Sequence, residues 1–233
     1  MLPPARSFNY TTNRVPASAT MSSLQQTTLS HSTPSTIYFG YGSNLWLHQM
    51  HIRCPESTYL GIARLSNYHW IINERGYANV VESSDSSPES ASKASSYANV
   101  VFGLVYSLSP CDEARLDRNE GVPVAYTKEK LECDFWKGTT ETKVDTKGPA
   151  DEKVKMLVYI DRQRTAPDEP REEYIYRMNQ GITDAVKMGV PKEYVNEVMR
   201  KYIPAEHHTA SKSIEDFAKG QAVQFKDESG VFK

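Results

Sequence analysis

The sequence predicts an α+β domain behind an unstructured leader, and three observations carry that reading. Short β-branched and aromatic runs recur between residues 37 and 160. Two stretches with apolar residues at helical spacing follow Pro170. The first 36 residues hold two Arg, no Asp or Glu, and much Ser, Thr and Pro, too little apolar content to offset the entropy of ordering. Residues 1–36 are therefore expected to be a disordered tail, 37–204 the folded domain, and 205–233 a C-terminal tail.

Order is expected to begin at Ile37-Tyr38-Phe39-Gly40-Tyr41-Gly42, a buried strand ending in a glycine turn. Ser43 or Asn44 is placed to cap a helix over Leu45 to His51, with Leu45, Trp46 and Met50 on its core face and Cys54-Pro55 as its stop. Tyr59 to Ile72 and two copies of Tyr-Ala-Asn-Val-Val, at 77–81 and 97–101, read as strands, the second continuing through Tyr106. The Ser-rich stretch 82–96 between the copies reads as a flexible hairpin insertion.

Ser109-Pro110 opens a short helix with Asp112 and Glu113 in its first turn, and Glu120-Gly121 closes it. Leu131, Cys133 and Phe135 alternate with polar residues, and Val154 to Ile160 is an apolar run, which brings the sheet to roughly six strands. Ile175, Met178, Ile182, Ala185 and Val186 mark an amphipathic helix, and Gly189 with Pro191 separates it from another carrying Val195, Val198 and Met199. Beyond Ala205 the chain reads as partly helical or frayed, with no function assigned.

The net charge is -2, from 27 Lys and Arg against 29 Asp and Glu, with no basic stripe. That excludes nucleic acid and polybasic membrane contacts as expected partners and leaves small molecules. No run approaches the roughly 18 apolar residues of a membrane span. A homodimer is left open. Cys54, Cys111 and Cys133 are an odd set without a C-x-x-C pair, which fits neither a disulfide framework nor a zinc knuckle and suits the reducing cytoplasm. The composition of residues 1–36 also fits an organelle transit peptide, the alternative location, although no amphipathic pattern accompanies it.

Two places could carry chemistry. The turn Tyr41-Gly42-Ser43-Asn44 joins a strand to a helix, where a glycine permits close approach and orphan backbone N–H groups favour a carboxylate or phosphate. An ordinary capped turn is the alternative reading. Glu120 falls at a helix C-terminus, whose negative partial charge would raise a carboxyl pKa toward the range useful for proton transfer, although a glutamate before a helix-ending glycine is also commonplace. No metal and no cofactor is expected. His48 and His51 lack a third ligand at suitable spacing, His207-His208 reads as solvated, Ser43 lacks the G-x-S-x-G elbow, and neither phosphate-loop nor dinucleotide fingerprints occur.

Taken together, Tyr41-Gly42-Ser43-Asn44-Leu45 and the downstream Leu116-Asp117-Arg118-Asn119-Glu120-Gly121-Val122 resemble the γ-glutamylcyclotransferase family. Ala63-Arg64-Leu65, Gly103-Leu104-Val105-Tyr106, and Ala166-Pro167 through Gly189-Val190-Pro191 extend the likeness over roughly Ile37 to Pro204. The resemblance implies a small mixed β-barrel flanked by α-helices with a site at the barrel mouth. It further implies 5-oxoproline formation from a γ-glutamyl substrate by attack of the substrate's own α-amine, without a cofactor. Glu120 is then the acid–base residue, and Tyr41, Gly42, Ser43, Asn44 and Leu45 hold the γ-glutamyl group. Tyr126 matches a pocket tyrosine, one residue nearer to Glu120 than in the family, and a second family tyrosine has no counterpart near Asp161 to Gln163. Related readings are activity on γ-glutamylamines, glutathione or a conjugated specialised metabolite, and a non-catalytic binding module. Asn44 departs from the leucine usual in the glutathione-specific group.

Overall fold

The structure, a computed structural model, describes residues 35–83, 97–205 and 211–232. The expectations for 1–34, for 84–96 and for His207 and His208 fall outside these residues.

Five strands close a barrel in the order β1-β5-β2-β6-β7. They are β1 (Thr36–Gly40), β2 (Thr58–Ser66), β5 (Val100–Leu108), β6 (Thr127–Lys137) and β7 (Glu152–Ile160). All neighbours are antiparallel except β1 and β7, which meet in parallel at Tyr38 and Leu157, so closure leaves no barrel edge unpaired and makes the barrel mixed. The β-branched and aromatic runs fill it: Phe39, Ile62, Leu104, Val105, Met156 and Val158 are fully buried.

The remaining strands, β3 (Tyr68–Ile72) and β4 (Ala78–Glu82), form a separate hairpin, giving seven strands among the described residues instead of the expected six or so. The two identical pentapeptides part company here. The first lies mostly within β4, whereas Tyr97 to Asn99 form a turn and β5 starts only at Val100. Strand propensity is the same in both copies, so cross-strand partners decide the difference.

Between Tyr59 and Gly61 the β2–β5 register shifts, a bulge that re-aims β2. Gly61 has φ +145°, and a Cβ there would stand 2.0 Å from the Trp136 carbonyl oxygen. Gly61→Ala is expected to destabilise the fold by at least about 1–3 kcal/mol, read from the shift in urea midpoint. An unchanged midpoint would contradict this account of the bulge.

Helices α1 (Leu47–Arg53), α2 (Pro110–Asn119), α3 (Glu172–Met188), α4 (Lys192–Glu197) and α5 (Lys212–Val223) surround the barrel. The cap of α2 is as expected, with Ser109 Oγ accepting from the Asp112 amide at 3.2 Å. The start of α1 is not. Ser43 to Leu45 form a turn of 3-10 helix, α1 begins two residues later, and Trp46 is its N-cap, without a side-chain cap bond. Ser43 and Asn44 fail to cap because their side chains are engaged elsewhere in the site. Leu45, Trp46 and Met50 are buried, as the spacing predicts.

The described residues 211–232 include a helix that packs on the domain. Helix α5 lies against α3 and α1, burying Ala218, Gln221 and Ala222. None of the helices among the described residues is long and apolar enough to cross a membrane.

Candidate active site

The 3-10 turn after β1, the C-terminus of α2, the β3–β4 hairpin and α3 converge on a small polar cavity. Tyr41, Gly42, Ser43, Asn44, Glu120 and Tyr126, all singled out in the sequence, line it. Leu45 does not: it is fully buried, and helix α3 passes so close that a Cβ on Gly181 would lie 3.0 Å from the Leu45 Cβ. Its place in the motif is a packing role, because the side chain following a tight turn faces the core.

Asn44 is the centre of the site. Its Nδ2 donates to Glu120 Oε1 at 3.0 Å and to the Tyr38 hydroxyl at 2.8 Å. Its Oδ1 accepts from Gln49 Nε2 at 2.8 Å and from the Arg53 guanidinium at 3.2 Å. Arg53 has only donors to offer, so the amide oxygen must face it and the NH2 group must face Tyr38 and Glu120. Ser43 is held similarly, its Oγ accepting from Gln49 Nε2 at 2.9 Å and from Arg177 at 3.0 Å.

The backbone of the turn is partly occupied. The Leu45 and Trp46 amides donate to the Gly42 and Ser43 carbonyls, and the Ser43 amide donates to the Tyr174 hydroxyl at 3.2 Å. A Cβ on Gly42 would approach that hydroxyl to 2.9 Å, so a side chain here would have to displace Tyr174 from the turn.

Glu120, the residue at the end of α2, turns its carboxyl into the cavity although the residue as a whole keeps some exposure. Burial pushes its pKa above the ordinary glutamate value, opposed by Arg53, the Asn44 hydrogen bond, Arg75 and Arg177. The direction expected from the sequence holds, but desolvation is its largest cause.

Three buried arginines that the sequence did not single out face the same cavity. Arg177 pairs with Glu173 through two bonds of 2.8 and 2.9 Å. Arg75 pairs with Asp227 at 2.7 Å and lies 4.9 Å over the Tyr126 ring. Arg53 donates to the carbonyls of Ala222 and Gln221 at 2.9 and 2.8 Å and has no carboxylate within ion-pair distance among the described residues. Burial lowers its pKa to about 10, so it is charged at neutral pH. Phe225, just past α5, completes the wall. A negative substrate group would meet Arg53 as a cation without a counter-ion, beside one carboxyl able to exchange a proton.

The expected gap near Asp161 to Gln163 is filled differently. Asp161 is buried, accepting from Asn73 at 3.1 Å and Arg164 at 2.9 Å, while Tyr174 and Tyr159 bring the additional phenols into the cavity.

No family model matches the chain, and no curated protein matches it. Solved structures do. A gamma-glutamyl cyclotransferase is similar with a TM-score of 0.55 at 22% identity, over 80% of this chain and 99% of the other. An uncharacterized protein from Homo sapiens gives 0.55 at 23% identity, over 79% and 98%. The chain thus has the γ-glutamylcyclotransferase fold, a mixed barrel flanked by helices.

Proposed function

We propose that the protein is a γ-glutamylcyclotransferase, releasing 5-oxoproline and a free amine from a γ-glutamyl substrate. The observation that carries this reading is the junction at Asn44, which ties the Gly42-Ser43-Asn44 turn directly to the Glu120 carboxyl inside one cationic cavity. The likeness in fold to a gamma-glutamyl cyclotransferase supports it.

The chemistry follows from what such a cavity supplies. Arg53 and the turn favour the substrate's α-carboxylate and hold the glutamyl chain curled. Glu120, ionised, takes a proton from the α-ammonium. The freed amine attacks the γ-carbonyl carbon, closing a five-membered lactam; its nitrogen sheds a second proton as the ring forms, and both protons pass by way of Glu120 to the departing nitrogen, which leaves as an ammonium as the original amide bond breaks. An intramolecular attack needs no enzyme nucleophile, and good orientation lowers the barrier by on the order of 7–11 kcal/mol.

The test is 5-oxoproline release from a panel of γ-glutamyl amino acids, γ-glutamylamines and glutathione. Release from at least one is expected, and none from a well-folded protein would refute the reading. A base must be ionised to act, so kcat/KM, which reports the free enzyme, should climb with pH through a pKa above the ordinary glutamate value of 4.5. An acid limb at or below that value would show that Glu120 is not the base.

A further inference from the structure

Of the six cavity tyrosines, Tyr38, Tyr77 and Tyr174 keep a hydroxyl proton without an acceptor among the described residues, and of these Tyr38 alone shares its hydrogen-bonding partner, Asn44, with Glu120. Tyr41 donates to the Tyr159 carbonyl at 2.6 Å, Tyr126 to the Ala78 carbonyl at 2.8 Å, and Tyr159 to Asp117 Oδ1 at 2.7 Å. Tyr38 is different. Its oxygen accepts from Asn44 Nδ2, which has no lone pair to offer in return, and its own O–H meets no protein acceptor among the described residues. The side chain is 4% exposed and lines the cavity. Buried donors without partners are uncommon and call for an explanation.

Position supplies one. Asn44 gives one N–H to Tyr38 and the other to Glu120, so the two groups sit one hydrogen bond from the same nitrogen and diverge from it. A cyclising carbonyl needs that divergence, with a base at the nitrogen and a donor at the oxygen. We propose that Tyr38 is a second catalytic residue, its O–H donating to the γ-carbonyl oxygen as negative charge develops there during lactam closure. Tyr38 stays a phenol throughout: the C–N bond to the α-amine forms, the oxygen takes up the electron pair of the C=O, and that pair returns as the leaving C–N bond breaks. Burial, with Glu120 nearby, holds the Tyr38 pKa well above that of free tyrosine, so the donor proton is retained across the working pH range. Tyr174 also keeps an unassigned proton, but its oxygen accepts the Ser43 and Ala78 amides and so holds the turn.

The proposal rests on the cyclotransferase reading, and the experiment separates the two. Tyr38→Phe keeps the ring that packs on Tyr106 and Tyr159 and removes only the hydroxyl. We expect kcat for 5-oxoproline release to fall on the order of 100-fold, with KM and the acid limb of the pH profile unmoved. Fluorotyrosines placed at position 38, being stronger donors, should change kcat in step with phenol acidity. An undiminished kcat in the Phe variant would overturn the assignment and leave the cyclotransferase reading standing. So would a loss confined to KM or a shifted pH limb, which would make Tyr38 a support for Asn44. Should the Phe variant misfold, a flat fluorotyrosine series overturns the proposal instead. Wild-type protein without any release would overturn both readings.

Discussion

Glu120→Gln is expected to lower 5-oxoproline release by about 10²- to 10⁴-fold, the range general acid–base catalysis ordinarily supplies. Gln fits the same space and can still accept the Asn44 bond through its amide oxygen, so the loss isolates proton transfer. The variant should also be at least as stable as the wild type. A carboxyl whose folded pKa is raised favours the folded state only while protonated, and that contribution is lost as pH rises from the unfolded value through the folded one. The upward shift already includes the attraction of Arg53, Arg75 and Arg177, so above it the ionised carboxylate is a net burden that Gln lacks. A midpoint at pH 7 well below the wild type's would contradict this, and would make lost activity uninterpretable as lost chemistry.

The second large effect is on stability. Arg177→Met should cost about 3–5 kcal/mol in urea unfolding, because it leaves the Glu173 carboxylate buried without its partner. The guanidinium also bonds Ser43 Oγ and lies 5.0 Å over the Tyr174 ring, so the damage should extend to the turn. Adding Glu173→Gln to the same chain should recover part of the loss, since the orphaned charge is then gone. A single variant within about 1 kcal/mol of the wild type would show that the pair contributes as little as a surface ion pair.

Much of this architecture was legible in the sequence. The apolar runs placed β1, β5 and β7, the Ser109-Pro110 start placed α2, and the 3.6-residue spacing placed α3. The turn and Glu120 were legible as candidates, and six of the seven residues named for the site line one cavity. Long-range choices were not legible. Ser43 and Asn44 look like caps because capping is local, whereas their actual partners, Gln49, Arg53 and Arg177, come from α1 and α3. The three arginines were passed over since charged residues are ordinarily exposed. Glu173 and Arg177, four apart within the stripe that carries Met178, were the one signal that could have revealed a buried pair. Tyr38 was read as strand core, since period-two patterning says nothing about where a hydroxyl points. The C-terminal segment contributes the Gln221 and Ala222 carbonyls, which leave no mark in a sequence, and the side chains of Phe225 and Asp227, whose role depends on a partner as distant in the chain as Arg75.

The central claim is that the substrate's own amine, and not water, attacks the γ-carbonyl. It is tested most directly by turning over a γ-glutamyl amino acid in H₂¹⁸O and weighing the product by mass spectrometry. The account predicts 5-oxoproline free of ¹⁸O together with an equal amount of released amine, whereas glutamate carrying ¹⁸O in its γ-carboxylate would identify a hydrolase and contradict it.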